Sequence, residues 1–196
     1  MPRMNGYKLC KTIKENINIS HIPVILLTAR DDRQSQISGY KNGADGYLSK
    51  PFEVEMLMEL IRNRLKNREY TKKRYLNAGL IPTPEESTIS LTDETFLIKL
   101  NSIIQENIEN SNLGIQFICQ EVGLGRSSLY NKLKALTGMG ANEYISKLRI
   151  EKAITLISGT DMPFSEIAEK TGFTTPSYFS TAFKQYTGET PSQYKE

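Results

Sequence analysis

The sequence predicts a partial α/β fold over its first third and an all-α fold over its second half. Three observations predict it. "PVILLT", residues 23–28, is a short apolar run rich in branched side chains, set between helix-like stretches. From Thr92 onward strand signals stop while helical periodicity continues. The second half also repeats itself: "FICQEVGLGRSSLYNKLKALTG" aligns with "SEIAEKTGFTTPSYFSTAFKQYTG", placing Leu129 on Phe179, Leu133 on Phe183, and Thr137-Gly138 on Thr187-Gly188.

Taken in order, "MPRMNG" reads as a loop that leaves one strand and enters a helix, so Met1 is expected to be an internal methionine or the edge of a fragment. "IPVILLTA" reads as a strand buried on both faces, as in parallel sheets. Asp31 or Asp32 caps the helix after it, and Gly43 ends that helix. "GYLSK" is a second short strand. "EVEMLMELIRNRL" places Val54, Leu57, Met58, Ile61 and Leu65 on one helical face, completing an α/β segment over residues 1–66. Residues 67–91 change character. "NREYTKKRY" is basic and "IPTPEESTIS" is rich in Pro and Ser, the composition of a linker with a helical start. Residues 92–196 form the all-α domain. Thr92 caps its first helix, whose apolar face is Phe96, Leu97, Leu100, Ile103, Ile104 and Ile108.

Each repeat is a short helix, a turn at Gly123 or Gly172, and a second helix, which is helix-turn-helix grammar. In the second helix of the first unit, Leu129 and Leu133 face the core. Arg126, Ser127, Tyr130, Asn131 and Lys134 face away. In the second unit Phe179 and Phe183 are the core pair, and Thr175, Ser177, Ser180, Thr181 and Lys184 lie outside. A helix of this width enters the DNA major groove, where short polar groups and Arg reach base edges and lysines take phosphates. Between the units, "NEYISKLRIEKAITLI" has an apolar side of Tyr144, Ile145, Leu148, Ile154 and Leu156, and a basic side of Lys147, Arg149 and Lys152. As a rigid helix it would hold two reading heads at a fixed separation, roughly 34 Å for one turn of B-DNA.

Composition narrows the function. The chain has 196 residues, 38% hydrophobic and 24% charged, enough for packed cores, and a net charge of +3 that permits nucleic-acid binding. Cys10 and Cys119 lie far apart without a C-x-x-C pattern, and His21 is the single histidine, so neither a disulfide framework nor a His-based metal site is expected. No apolar run approaches the ~18 residues of a membrane span, which points to a soluble, cytoplasmic protein. No catalytic constellation is present, so neither an enzyme nor a small-molecule substrate is expected.

Residues 92–196 resemble the AraC-type DNA-binding domain, two helix-turn-helix units joined by a linker helix. The run "IAEKTGFTTPSYFSTAFKQYTGETPSQY" fits that family's signature almost continuously. The resemblance implies sequence-specific binding of double-stranded DNA and control of transcription. It makes Ser127, Tyr130 and Asn131 base-facing in the first unit, and Pro176, Ser177, Ser180 and Thr181 in the second. The chain departs from the pattern at Gly125, where Ser or Thr is usual, and at Asn131 and Lys195, where Arg is common. Pro176 has no N–H to offer a base.

"MPRMNG", "PVILLTA" and "GADGYLSKPF" resemble the receiver domain of two-component response regulators. That resemblance gives Thr28, Tyr47 and Lys50 the role of switch residues around an acyl phosphate, and implies a cis Lys50-Pro51 bond. It places the phosphoacceptor Asp, the acidic metal ligands and the earlier strands ahead of Met1. Asp31, Asp32 and Asp45 read as caps and turn residues, so the chain is expected to lack a receiver phosphate. The Mg²⁺ of an intact receiver is not expected to bind, and no cofactor is implied. With "LYNKLKALTG" in the first unit, the whole arrangement resembles the C-terminal end of hybrid two-component regulators. The expected partners are double-stranded DNA, RNA polymerase and a second copy of the chain. The competing reading is an interaction module that keeps the receiver's pairing face without phosphorylation, since an unpaired "PVILLT" strand invites dimerisation.

Overall fold

The computed structural model describes residues 4–29, 32–78 and 90–195, without the side chains of residue 71 and residues 73–78. The chain divides into two compact units: Met1–Leu97 with Asn131–Gly138, and Ile98–Tyr130 with Met139–Glu196.

In the first unit, Asn5 caps α1 (Gly6–Glu15) by accepting from the Lys8 amide at 2.8 Å. β1 (Ile25–Thr28), α2 (Arg33–Lys41) and β2 (Gly46–Ser49) follow. The strands pair in parallel, Ile25 opposite Gly46 and Thr28 opposite Ser49, with an intervening helix as parallel pairing requires. Asp32 is the cap of α2, accepting from the Ser35 amide at 2.8 Å, and Asn42 ends that helix before Gly43 takes a left-handed φ of 84°. Asp31 lies outside the described residues. Asp45 is more than a turn residue: its carboxylate accepts the Val24 amide at 2.6 Å and pairs with Lys14 at 2.7 Å. The buried Lys14 ammonium also donates to the carbonyls of Ser20 and Ile22, pinning the loop between α1 and β1.

Two expectations fail here. β1 is not buried on both faces: Leu27 is 43% exposed, and among the described residues β1 pairs only with β2. In α3 (Val54–Ala78), Leu57 and Ile61 are half-buried, but Val54, Met58 and Leu65 are 68%, 43% and 53% exposed. The helical face exists, and most of it is uncovered. α3 also continues to Ala78, deep into the stretch expected to be linker. The Lys50-Pro51 bond is cis.

α4 (Leu91–Glu106) begins one residue before Thr92, which is therefore not its cap. Ser90 fills that place, its hydroxyl accepting from the Asp93 amide at 3.2 Å. The Thr92 hydroxyl instead donates to the Lys14 carbonyl at 3.0 Å. The apolar face of α4 is buried as expected, from Phe96 at 2% to Ile104 at 1%, with Ile108 just beyond the helix end.

The two repeats are α5 (Ile115–Val122) with α6 (Arg126–Thr137), and α8 (Phe164–Lys170) with α9 (Pro176–Thr187); α7 (Ala141–Gly159) lies between them in sequence and α10 (Pro191–Lys195) closes the chain. In the second unit, α7, α8 and α9 bury one cluster: Ile150, Ala153 and Ile157 from α7, Ile167 and Ala168 from α8, and Phe173, Phe179 and Phe183. Phe179 and Phe183 meet edge to face at 5.7 Å, and each is fully buried. The turn between α8 and α9 depends on Gly172. Its φ is 72°, and a Cβ there would collide with the Ile108 carbonyl oxygen.

Candidate nucleic-acid interface

Helical periodicity sorts α6 and α9 in the same way. At about 100° per residue, positions i, i+3, i+4 and i+7 share one face. In α6 these are Ser127, Tyr130, Asn131 and Lys134, all exposed; in α9 they are Ser177, Ser180, Thr181 and Lys184, exposed except for the half-buried Ser180. On each helix the opposite side carries the buried pair, Leu129 and Leu133 or Phe179 and Phe183. The two quartets therefore present short polar groups and an aromatic hydroxyl, each ending in a lysine one turn further on.

The remaining residues expected at the site take distinct places. Arg126 is exposed in the first turn of α6, at the position where Pro176 opens α9. Thr175 is the N-cap of α9, its hydroxyl oxygen accepting from the Tyr178 amide at 3.2 Å. Pro176 sits in the first turn, where a missing N–H costs nothing. The Thr181 hydroxyl donates to the Ser177 carbonyl at 3.0 Å, leaving its oxygen available as an acceptor. Gly138 and Gly188 stop the helices, with φ of 78° and 89°.

The basic side expected of α7 is not a free surface. Lys147 is 5% exposed and pairs with Glu151 at 3.5 Å. Arg149 is 9% exposed, donates to the Asn110 carbonyl at 2.8 Å and lies over the Phe173 ring. Lys152 pairs with Glu109 at 3.4 Å. These cations tie α7 to the 109–110 loop and to its own helix. Burial raises the Glu151 carboxyl above the ordinary carboxylate range, against the opposing pull of Lys147 and Tyr186. Burial and the Glu151 charge push the Tyr186 phenol up to about 12.

Two residues with a place in this architecture are absent from the sequence-based list. Tyr178 is 55% exposed on α9 and stacks edge-on against Phe173. Lys132 is fully buried on the back of α6. Its position between Leu129 and Leu133 was the available signal.

In the first unit, Thr28 ends β1 and Lys50 follows the end of β2, while Tyr47 lies opposite Leu26 near the start of β2 and reaches Thr28 through a side-chain hydrogen bond. The Lys50 amide donates to the Thr28 carbonyl at 2.6 Å, and Lys50 is exposed. Burial and the neighbouring Tyr7 push the Tyr47 phenol up to about 12, against a hydrogen bond with Thr28 that lowers it. Asp45 is held by Lys14 and Val24, Asp32 is spent on Ser35, and among the described residues no group of three or more potential ligands converges. Among the described residues, no helix is long and apolar enough to cross a membrane.

Comparison with known proteins agrees with both halves. Residues 1–62 match the response regulator receiver domain, and residues 118–196 match a helix-turn-helix domain. Histidine kinase P4 of Formosa agariphila is 42% identical over 195 residues, all of this chain and 14% of that protein. The transcriptional activator RhaR of Salmonella dublin is 34% identical over 102 residues, 52% of this chain and 36% of that protein. Among solved structures, the C-terminal domain of the response regulator yesN from Fusobacterium nucleatum is 33% identical and covers 50% of this chain and 94% of its own, with a TM-score of 0.47. The chain thus spans only a small part of the kinase it matches from end to end. It carries a response-regulator receiver segment at one end and an AraC-type helix-turn-helix domain at the other.

Proposed function

We propose that this regulator binds double-stranded DNA sequence-specifically, laying α6 and α9 into successive major-groove segments. The observation that carries the reading is the repeated quartet, Ser127-Tyr130-Asn131-Lys134 and Ser177-Ser180-Thr181-Lys184, each opposite a buried apolar pair. Asn131 offers an amide, which pairs two-fold with adenine in the major groove. Lys134 and Lys184 supply phosphate contacts that fix register without reading sequence. Arg126 at the start of α6 and the capping Thr175 of α9 stand at helix N-termini, which favour phosphates, while Pro176 and Ser177 face the bases. Selection from random duplexes tests this. A two-part motif, with halves about one helical turn apart, is expected. Recovery of no motif overturns the reading.

The receiver segment carries no acceptor aspartate in this proposal. Incubating the chain with acetyl phosphate is expected to give no stoichiometric label, and uptake of one phosphate per chain refutes it. A second reading, self-association through the receiver segment, draws on the open side of β1 and the exposed Val54, Met58 and Leu65 of α3. Light scattering of the full chain decides it: a dimer that Met58→Glu with Leu65→Glu dissolves supports the reading, and a monomer at all concentrations removes it.

A further inference from the structure

Lys132 is among the largest fully buried side chains of the described residues, and it is a cation. Its ammonium pairs with Asp93 of α4 and donates to the Ser20 hydroxyl at 2.7 Å. Ser20 uses its hydroxyl both ways, because the same group donates to Asp93 at 2.7 Å. Ser20 is fully buried and Asp93 is 3% exposed. The ammonium also lies 5.0 Å from the centre of the Phe96 ring. Beside this triad the Thr92 hydroxyl donates to the Lys14 carbonyl, and Lys14 holds the Ser20 and Ile22 carbonyls. All of these residues belong to the first unit. They form one buried polar seam between the 14–22 segment, the start of α4 and the back of α6.

A buried ion pair is a weak source of stability, since desolvation offsets most of its attraction. Its strength is directional: two ions and a shared hydroxyl fit in one arrangement. Lys132 lies about half a turn around α6 from the face shared by Asn131 and Lys134. The seam therefore leaves the DNA-reading face open while fixing the rotation and depth of the helix that carries it.

We propose that residues 14–22 of the receiver segment act on the first reading helix through Ser20 and Lys132, holding α6 in its DNA-reading pose. This rests on the reading of α6 as a DNA-reading helix. Lys132 is a positioning residue in this scheme, and it touches no DNA. A change in the 14–22 loop reaches base readout by releasing or tightening the Ser20 hydroxyl, with no occlusion of the reading face.

The test uses the full chain with Ser20→Ala and, separately, Thr92→Val. Ser35→Ala is the control, because Ser35 is also a buried serine bonded to an aspartate, Asp32, in the same unit. In both test variants, amide exchange over residues 126–137 is expected to rise about threefold or more while residues 176–187 stay unchanged, the pattern of local loosening. Affinity for the selected duplex is expected to fall about fivefold, as pre-organisation is lost. That fall should vanish on a duplex scrambled in the half read by α6. Unchanged exchange over 126–137, equal loosening by Ser35→Ala, or tighter DNA binding overturns the proposal. If the wild-type chain selects no sequence, the DNA reading fails, and the exchange pattern alone decides whether the seam holds α6.

Discussion

Asn131 and Lys134 lie three residues apart on one face of α6, yet their removal should have different consequences. Asn131→Ala is expected to relax preference at one base position, at about 1–3 kcal/mol, because a two-fold amide contact discriminates among bases. Lys134→Ala should weaken all duplexes alike. Competition against single-base variants separates the two outcomes. His21 offers a prediction of another kind. Burial, then the nearby Lys132, lower its pKa below the ordinary imidazole value, with Asp93 opposing. Between the lowered folded pKa and the ordinary value of about 6.5, the unfolded chain binds more protons than the folded one, so stability rises with pH across that window and falls on acidification. As His21 is the single histidine, its proton resonance reports this directly, and His21→Gln should flatten the acid limb of the stability profile.

At the scale of elements, the two repeats are equal in pattern and unequal in construction. α9 has a side-chain cap, a first-turn proline and an all-aromatic buried pair, whereas α6 starts after Gly125 and has leucines, Leu129 and Leu133, at the matching buried positions. Phe179→Ala should cost about 3–5 kcal/mol through its cavity. Gly172→Ala should destabilise as severely, since the added methyl meets both a left-handed φ and the Ile108 carbonyl. Urea denaturation of the two variants checks both figures. α7 holds its part of this arrangement with cations that look available for DNA in sequence and are engaged in space. Arg149 binds a loop carbonyl and covers Phe173, so Arg149→Met should unfold the second unit sooner in urea, with little change in the salt dependence of DNA binding.

For the whole molecule, a modest net charge of +3 means that DNA affinity depends on where the cations stand. Affinity should fall with salt in proportion to the phosphates neutralised. Lys134→Ala and Lys184→Ala should each lower the slope of log affinity against log salt by roughly 0.9. A slope unchanged by both substitutions would remove these lysines from the phosphate contacts.

Much of this was legible in the sequence because it is written in local periodicity. The internal repeat, the buried pairs Leu129-Leu133 and Phe179-Phe183, the glycine stops and the outward quartets all follow from helix geometry, which needs no distant partner. The strands and their order were legible for the same reason. What the tertiary structure decided concerns groups whose partners lie far along the chain. Lys147 and Arg149 read as a basic helix side until Glu151, and Asn110 and Phe173, are brought against them, and Lys132 gains its place only when Ser20 and Asp93 meet it. Val54, Met58 and Leu65 share one helical face and Leu27 lies in an apolar strand, yet all four stay exposed, because an apolar face is buried only where a second element covers it. The sequence by itself determined which faces are apolar and which helices carry the polar quartets. Only the tertiary structure decided that Lys132, Lys147 and Arg149 are consumed in holding the fold, since their partners depend on how the chain packs.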